Sequence, residues 1–268
     1  MKDKVVIITG ASSGIGKACA LKFAKEGAIV VLAARSIEKL NDVVEDIQIA
    51  KGQALAVQTD VSKEEDCQNL IDTTIKYFNK VDVLVNNAGI SMRSMFHDTD
   101  FLVIKKLMDI NFWGTVYCTK IALPHLVKTQ GSVVGVSSIA GFKGLPGRVG
   151  YSASKFAMHG FLECLRIENL KNGLHVLLVA PGFVNTNIRN AALVGDGSTQ
   201  SETPLDESKL MSPNEVADHV YNGVVKKKRE VILTSQGKLM VLLNKFFPGF
   251  MDKMVFNHFA KEKDSPLK

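Results

Sequence analysis

A tyrosine and a lysine four residues apart are the residues of this sequence best suited to proton transfer. Tyr151 and Lys155 lie in a segment with helical periodicity, so both side chains project from the same face. A tyrosine hydroxyl, with an ordinary pKa of about 10, exchanges protons poorly at neutral pH unless a neighbouring ammonium group stabilises the phenolate. The pair therefore predicts an acid–base site; the alternative is an exposed Tyr–Lys pair on a helix surface.

A glycine-rich turn near the amino terminus has the composition of a phosphate-binding loop. It follows the apolar run 5–9 and precedes an amphipathic helical pattern. Glycines let the backbone approach a pyrophosphate, and the start of a helix favours negative charge. The spacing is G-x-x-x-G-x-G rather than G-x-G-x-x-G, and a tight connection without a ligand is the alternative. The residues expected to contact a dinucleotide are Gly10, Ser12, Ser13, Gly14, Ile15 and Gly16.

The end of the second apolar run indicates which dinucleotide the turn would accept. Sites for a free ribose 2′-hydroxyl place Asp or Glu there, whereas sites for a 2′-phosphate place an arginine nearby. Here the run ends in Arg35 and Ser36, with no acid before Glu38. The guanidinium fork suits a phosphate, and Ser36 adds a donor. This pattern predicts NADP(H); a solvated surface arginine is the alternative.

Short β-rich runs and helical patterns alternate along most of the chain and would position these residues. The predicted strands are 5–9, 29–33, 54–58, 82–86, 132–137, 175–179 and 230–233, and the later helices lie near 38–50, 64–78, 101–123, 154–172 and 213–227. This alternation predicts an α/β fold: a single doubly wound Rossmann-type domain with about seven parallel strands and helices on both faces. We expect residues 1–236 to form this domain, with a substrate loop at about 187–212, and residues 237–268 to form a C-terminal amphipathic helical extension of it.

Composition narrows the class of protein. The chain has 268 residues, of which 46% are hydrophobic and 22% charged, which is too apolar for a disordered chain. No apolar run approaches the ~18 residues of a membrane-spanning helix, and the stretch after Met1 is too short for a signal peptide. The four cysteines, Cys19, Cys67, Cys118 and Cys164, form no C-x-x-C pair. They predict buried free thiols in a reducing, cytoplasmic compartment.

The net charge of +6 permits contact with nucleic acid or anionic lipid without requiring it. The strongest basic run, 226–229, closes a predicted helix, where cations favour the helix dipole, so a solvated helix end is favoured over a nucleic-acid site. The six histidines show neither an H-x-x-x-H nor an H-E-x-x-H arrangement. We therefore expect no nucleic-acid partner and no metal site.

Further motifs complete a pattern that resembles the short-chain dehydrogenase/reductase family from residue 4 to about 190. After the glycine turn they are, in family order, Asp60-Val61, Asn86-Asn87-Ala88-Gly89, Asn111, Ser138, Tyr151-Ser152-Ala153-Ser154-Lys155 and Pro181-Gly182. Each motif is weak alone, and together they are specific. The resemblance implies an oxidoreductase that uses a nicotinamide cofactor.

The resemblance also implies roles for the four catalytic candidates. Ser138, placed 13 residues before Tyr151 as the family requires, would hold the reacting oxygen; neighbouring Ser137 is the competing candidate. Lys155 would tune Tyr151 and bond the nicotinamide ribose. Asn111 would hold a water in a proton relay through Lys155. The remaining cofactor contacts implied are Asp60 and Val61 at the adenine, Asn87, Ala88 and Gly89 along the adenosine side, and Pro181, Gly182, Val184 and Thr186 at the nicotinamide amide.

These observations predict an NADP(H)-dependent oxidoreductase that transfers a hydride between nicotinamide and a carbonyl or secondary alcohol, as a homodimer or homotetramer. The alternative is a catalytically silent cofactor-binding regulatory or scaffold protein, against which the complete Asn–Ser–Tyr–Lys set argues. The substrate is not specified by these motifs. The long aromatic tail is similar to that of hydroxysteroid-type and membrane-associated members and favours an apolar substrate.

The tail itself predicts two short amphipathic helices interrupted at Pro248-Gly249. Residues 246–259 hold five of the 14 phenylalanines, and the segment from 237 onwards has six lysines against three acids. One interpretation is that its apolar face packs on the domain or on a partner subunit. The other is that it closes over an apolar substrate and makes peripheral contact with an anionic membrane through residues 238–260.

Overall fold

A single parallel sheet of seven strands forms the centre of the molecule. This computed structural model describes residues 1–200, 210–261, 265 and 267. The strands are β1 Val5–Thr9, β2 Ile29–Ala34, β3 Gln53–Gln58, β4 Val83–Asn86, β5 Ser132–Val136, β6 His175–Ala180 and β7 Glu230–Ile232. Their order across the sheet is β3-β2-β1-β4-β5-β6-β7, and all neighbours are parallel. The apolar runs of the inner strands are buried, as a sheet covered on both faces requires.

Helices cover both faces of the sheet. They are α1 Gly14–Lys25, α2 Ile37–Ile49, α3 Glu64–Phe78, α4 Phe101–Leu107, α5 Gly114–Lys128, α6 Val149–Glu168, α7 Pro213–Val225, α8 Ser235–Phe246 and α9 Pro248–Ala260. Val6 and Ile8 of β1 pack toward α1, α2 and α7, whereas Val5 and Ile7 pack toward α3, α5 and α6. The alternation of side chains along each strand thus divides the core into two layers. The predicted doubly wound α/β fold is confirmed.

Some boundaries differ from those that the sequence predicts. Helix α6 begins at Val149 rather than near residue 154, so Tyr151 lies within its first turn. The predicted helix 101–123 continues to Lys128, past Pro124, and its middle six residues, Met108–Trp113, form a π-helical turn between α4 and α5. In the predicted substrate loop, residues 187–200 contain turns and isolated bridges, such as that between Met92 and Leu193. Positions 201–209 lie outside the described residues.

The C-terminal helices pack over the carboxyl edge of the sheet. Pro248 is the first residue of α9, as the predicted interruption requires. Met251, Val255 and Phe259 form the inner face of α9 and belong to an apolar cluster with Leu145 and Ala140. Of the described part of the chain, no helix is both long enough and apolar enough to cross a lipid bilayer.

The four cysteines form no disulfide and are not uniformly buried. Cys19 is buried, and Cys67 on α3 lies beside Cys118 on α5 with their sulfurs 3.4 Å apart. Cys164 is exposed on α6, so its predicted burial is wrong. The apolar periodicity of α6 extends around the helix beyond the stripe that faces the sheet, and the sequence alone does not mark that limit.

Candidate active site

The predicted site residues meet at the carboxyl edge of the sheet. The glycine turn follows β1, Asn87 follows β4, Ser138 follows β5 and Pro181 follows β6. The order of the strands reverses between β1 and β4. The chain segments that follow these two strands therefore leave toward opposite faces of the sheet, and a crevice opens between them. Residues from several distant segments therefore line one groove.

The glycine turn is fixed against the loop that follows β4. Gly10 has φ +66°, and a Cβ atom there would lie 2.9 Å from Ala88 Cα. Asn87 Nδ2 donates to Thr9 O at 2.9 Å, and the Thr9 hydroxyl accepts from the backbone N–H groups of Asn87 and Ala88, both at 3.0 Å. A side chain at Gly10 would separate these two segments. The glycine turn is thus held in place by the loop after β4 and is not a loose connection between β1 and α1.

The larger cavity of this crevice, about 380 Å³, brings together most of the predicted dinucleotide contacts. Its predicted members are Gly10, Ser12, Ser13, Gly14, Ile15, Arg35, Ser36, Asp60, Val61, Asn87, Ala88, Gly89 and Thr186. Gly16 does not line the cavity. A Cβ atom at Gly16 would lie 2.1 Å from Gly10 O, so this glycine allows α1 to approach the turn.

These residues fit a nicotinamide dinucleotide. Helix α1 begins at Gly14 with neither a side-chain cap nor an acidic residue in its first turn, so its first backbone N–H groups are available to an anion. Gly14, at φ +54°, leaves space beside Thr186, because a Cβ atom there would lie 3.2 Å from Thr186 Cγ2. The glycine turn and the start of α1 therefore provide the backbone N–H donors and the close backbone approach that a pyrophosphate requires.

The end of the cavity at Arg35, where the adenosine ribose would lie, has one cation more than the sequence predicts. Lys39, on the first turn of α2, lines the cavity together with Arg35 and Ser36. Its position three residues after the N-cap Ser36 is the signal that could have revealed it. Ser36 Oγ accepts from Lys39 N at 3.4 Å and donates to Glu38 Oε2 at 3.0 Å. The Ser36 proton is thus engaged by Glu38, and the two cations are the stronger candidates for a 2′-phosphate.

A second cavity of about 110 Å³ adjoins the first and contains three of the four catalytic candidates. Ser138, Tyr151 and Lys155 line it, as do the predicted contacts Pro181, Gly182 and Val184. Both cavities are lined by Ile15, Asn87, Gly89, Thr186 and Ile188. The two spaces therefore form one continuous groove, with the acid–base pair at its inner end.

The electrostatics of the pair differ from the sequence-based expectation. Lys155 is 3% exposed, and its Nζ donates to Val136 O at 3.0 Å. Burial lowers the pKa of Lys155 to about 8. The pKa of Tyr151 is raised by its burial, while the Ser138 hydrogen bond and the charge of Arg148 act in the opposite direction. Lys155 Nζ lies 5.8 Å from the centre of the Tyr151 ring. Arg148 is a second cation near this tyrosine, and the Tyr–Lys motif does not include it.

Arg148 connects the catalytic helix to the opposite wall. It is the N-cap residue of α6, three residues before Tyr151, and is 9% exposed. Its Nη1 donates to Ser91 Oγ and to Met92 O, each at 3.2 Å. The only sequence signal for it is a basic residue just before the Tyr–Lys pair. Its guanidinium group supplies a buried positive charge close to the tyrosine hydroxyl.

Asn111 is fully buried and does not line either cavity. Its Oδ1 accepts from Ile90 N at 2.8 Å, and its Nδ2 donates to Ile90 O at 3.0 Å and to Ser154 Oγ at 2.9 Å. Both amide protons are thus used by protein groups. The side chain joins the π-helical turn to the loop after β4 and to α6, rather than pointing a free donor at Lys155.

The doubly wound sheet, the glycine turn and the joined Ser138–Tyr151–Lys155 cavity together define a nicotinamide-dependent dehydrogenase of the short-chain class. The chain belongs to this family: residues 4–194 match the family model described as short chain dehydrogenase. It is therefore an oxidoreductase of the class that acts on CH–OH groups with a nicotinamide cofactor.

Individual relatives agree with this assignment. The chain is 35% identical over 271 residues to dehydrogenase/reductase SDR family member 7B of Mus musculus, covering 99% of this chain and 84% of that one. It is 36% identical over 257 residues to 11-beta-hydroxysteroid dehydrogenase 1A of Arabidopsis thaliana, covering 93% and 73%. The expected hydroxysteroid-type relatives are thus confirmed.

Solved structures show the same fold. A short-chain dehydrogenase/reductase from Burkholderia phymatum in complex with NAD superposes with a TM-score of 0.83 at 23% identity, covering 93% of this chain and 95% of that one. An alcohol dehydrogenase from the archaeon Thermococcus sibiricus, complexed with 5-hydroxy-NADP, gives 0.75 at 26% identity, covering 87% and 96%.

Proposed function

We propose that this protein is an NADP(H)-dependent carbonyl reductase or secondary-alcohol dehydrogenase that acts on an apolar substrate. The observation that carries the proposal is the placement of Ser138, Tyr151 and Lys155 around one cavity that opens into the dinucleotide groove. A scaffold protein would have no need of a buried lysine and a half-buried tyrosine beside a space for a small molecule.

Each catalytic residue has a task that its surroundings support. The bound cofactor would supply or accept the hydride. Ser138 would hold the substrate oxygen, and the Tyr151 hydroxyl would donate its proton to that oxygen during reduction and accept it during oxidation. The positive charges of Arg148 and Lys155 would stabilise the phenolate form of Tyr151. Both amide protons of Asn111 support the floor of the site, and the second lone pair of its Oδ1, beside Gly89 as is Lys155 Nζ, would accept from the water of the predicted relay.

The preference for NADP(H) rests on charge at the ribose end of the groove. Arg35 and Lys39 line this end, and no acidic side chain takes the last position of β2 or the two that follow it. A 2′-phosphate would gain charge-assisted hydrogen bonds there, whereas a free 2′-hydroxyl would find no carboxylate acceptor of the usual kind.

The choice of an apolar substrate rests on the outer wall of the catalytic cavity. Leu145, Phe183 and Val184 line the space near Tyr151. Behind Leu145, the inner face of α9 adds Met251 and Val255 to the same apolar cluster. A hydrophobic carbonyl compound would lose unfavourable contact with water on entering this space.

The test is consumption of NADPH or NADH with a panel of ketones and aldehydes that ranges from small polar to large apolar compounds. We expect turnover with NADPH that increases with the apolar surface of the substrate. Tight NADPH binding without turnover on any compound would favour the scaffold alternative. Faster turnover with NADH would contradict the cofactor assignment.

We also propose that the outer face of α8 and α9 makes peripheral contact with an anionic membrane surface, with the protein otherwise in a reducing, cytoplasmic environment. Seven large apolar side chains are exposed there, Phe246 to 63%. They are Leu239, Leu242, Phe246, Phe247, Phe250, Met254 and Phe256. Lys238, Lys245, Lys253 and Lys261 lie on the same two helices or at their ends. Aromatic side chains at lipid headgroups, flanked by lysines, are typical of interfacial helices.

Sedimentation with liposomes of mixed neutral and anionic lipid tests this contact. The full chain should sediment at low salt and less at high salt, and a Phe246→Ser/Phe247→Ser/Phe250→Ser variant should remain in the supernatant. An Ile167→Ser/Leu170→Ser variant is the matched control, because these exposed apolar residues lie at the carboxyl end of α6 and just after it, outside α8 and α9. If the unmodified chain stays in the supernatant at low salt, the membrane contact is wrong.

We infer self-association as a homodimer or homotetramer from a second exposed apolar region. Phe101 and Leu102 on α4, Trp113 on the π-helical turn and Phe156 on α6 are exposed, and α4 packs directly on α6. Apolar side chains exposed on adjoining helices are typical of subunit interfaces. Sedimentation velocity would show a dimer or tetramer, and a Trp113→Ser/Phe156→Ser variant should shift it toward monomer.

A further inference from the structure

A serine–histidine pair beside the catalytic cavity has no part in the mechanism above. Ser137 Oγ and His159 Nε2 lie 2.6 Å apart. Ser137 lines the catalytic cavity and directly precedes Ser138. His159 lies on α6, eight residues after Tyr151 and four after Lys155, so the three side chains follow one side of the helix. The pair thus joins the segment that carries Ser138 to the helix that carries the other two catalytic candidates.

The surroundings of this pair are shaped to hold it. A Cβ atom at Gly141 would lie 2.5 Å from His159 Nε2 and 3.0 Å from Ser137 Oγ, so only glycine at this position leaves room for both. The ring of Phe142 meets the His159 ring edge-on, with centroids 4.5 Å apart. Ser137 is further fixed by its backbone N–H, which donates to Val179 O at 2.7 Å.

The chemistry of the pair favours a positioning role over a reactive one. Burial, together with the charge of Lys155, lowers the pKa of His159 to about 4. A histidine with so low a pKa is neutral at pH 7 and a weak base, which is poorly suited to activating a serine nucleophile. A neutral imidazole, however, forms a stable hydrogen bond with a hydroxyl over the whole neutral range.

We propose that His159 is a positioning residue, which holds Ser137 and thereby fixes the Ser138 hydroxyl relative to the Tyr151 hydroxyl. The proposal rests on the function proposed above. Two segments that carry reacting groups, β5 with its following turn and α6, are also joined near the site by the contact of Lys155 with Val136 O and by the hydrogen bond between Ser138 and Tyr151. Small displacements of reacting groups reduce rates strongly, so a connection that does not itself involve a reacting group would matter for turnover.

Steady-state kinetics on four variants test this connection. His159→Leu and Ser137→Ala each remove the hydrogen bond, and each should lower kcat by roughly tenfold with less change in KM. The Ser137→Ala/His159→Leu double variant should be no slower than the slower single variant, because both remove the same contact. His159→Gln retains a hydrogen-bonding group and should recover most of the loss.

Three results would overturn the proposal. They are an unchanged kcat in His159→Leu, a double variant whose loss is the product of the two single losses, and a His159→Gln variant no better than His159→Leu. Thermal unfolding and NADPH titration of each variant give the control, since a merely structural role would reduce stability without a specific loss in kcat.

A second measurement separates this proposal from the proposed function. The ionisation of Tyr151 is followed by tyrosinate absorbance, with Tyr151→Phe as the subtraction reference. Because a hydrogen bond from Ser138 lowers the pKa of Tyr151, displacing Ser138 in His159→Leu should raise that pKa by about half a unit or more, as Ser138→Ala should. If the shift occurs in a protein that reduces no carbonyl compound, only the proposed function fails. If no shift occurs, the positioning role fails whatever the activity.

Discussion

The inner and outer walls of the catalytic cavity are held by different forces. On the inner wall, hydrogen bonds join α6 to the strands, as in the contacts of Lys155 with Val136 O and of Ser137 with His159. On the outer wall, α9 rests mainly on apolar contacts, with Met251 and its neighbours packed against Leu145. Hydrogen bonds fix direction as well as distance, whereas apolar contacts fix little more than burial. The inner wall is therefore suited to chemistry and the outer wall to substrate choice.

The largest effect on kcat should come from removing the Tyr151 hydroxyl oxygen from the inner wall. Tyr151→Phe deletes the hydroxyl that transfers the proton, and kcat should fall by about 10²–10⁴-fold. Binding of NADPH, measured by fluorescence titration, should change little, because the ring and its packing remain. A variant that keeps more than about a tenth of the original rate would show that Tyr151 is not the acid.

On the outer wall, two phenylalanines of α9 offer a matched pair. Phe259 is buried and Phe250 is 57% exposed. Phe259→Ala should reduce the free energy of unfolding by about 3–5 kcal/mol, and Phe250→Ala by no more than about 0.5 kcal/mol. Urea unfolding measures both. Equal losses would show that the two faces of α9 do not differ in burial. Phe250→Ala should weaken liposome binding, because Phe250 belongs to the exposed face.

The residues expected to select the cofactor lie outside both walls, and replacing Arg35 should change the preference for NADPH over NADH. Arg35→Ala removes a charge-assisted contact worth about 1.5–3 kcal/mol, so NADPH should bind roughly 10- to 100-fold more weakly. Affinity for NADH should stay about constant and serves as the internal control. An equal loss for both cofactors would mean that Arg35 supports the fold rather than the 2′-phosphate. Lys39→Ala should show the same selectivity with a smaller loss.

The smallest effect concerns the pH dependence of stability. The pKa of His159 is about 4 in the folded chain, against an ordinary value near 6.5. The unfolded chain therefore takes up this proton first, and stability falls as the pH drops from about 6.5 to 4, then levels off.

In His159→Gln this contribution disappears. The stability advantage of the unmodified protein over the variant should shrink by roughly 1–2 kcal/mol across that range, less than full burial would give because the ring is partly exposed. Urea unfolding at pH 7, 5.5 and 4.5 measures it. The exposed His97→Gln variant is the control, and parallel curves for the unmodified protein and His159→Gln would contradict the assignment.

Patterns in the sequence predicted the strands and motifs of the inner wall better than the long-range contacts that join them. Continuous apolar runs separated by helical periods are local signals, so the seven strands and their parallel direction followed from the pattern, whereas their order across the sheet did not. The glycine turn and the Tyr–Lys spacing are local as well. The contacts of Arg148 with Ser91 and of Ser137 with His159 join residues 57 and 22 positions apart, and no local pattern records them.

Two other features escaped prediction for related reasons. The sequence shows Asn111 as a polar residue in a helix, but its hydrogen bonds to Ile90 and Ser154 depend on where the chain returns. The start of α6 at Val149 lacks a side-chain cap, which is the usual sequence mark of a helix terminus. Local signals were therefore sufficient for the architecture and insufficient for the supports of the site.

The π-helical turn Met108–Trp113 adds a residue to the helix without changing the faces that α4 and α5 present to the core. A π turn contains one residue more than an α turn for about the same rotation. Deleting one residue within it would therefore let α4 and α5 run as one regular helix, with Leu107 and Cys118 still facing the core in which they are buried. A deletion within α5 has no such reserve and would rotate the residues beyond it by roughly 100°. Removing an exposed residue of the turn, such as Trp113, should thus reduce the free energy of unfolding less than a deletion in α5, and its main consequence should be a displaced Asn111.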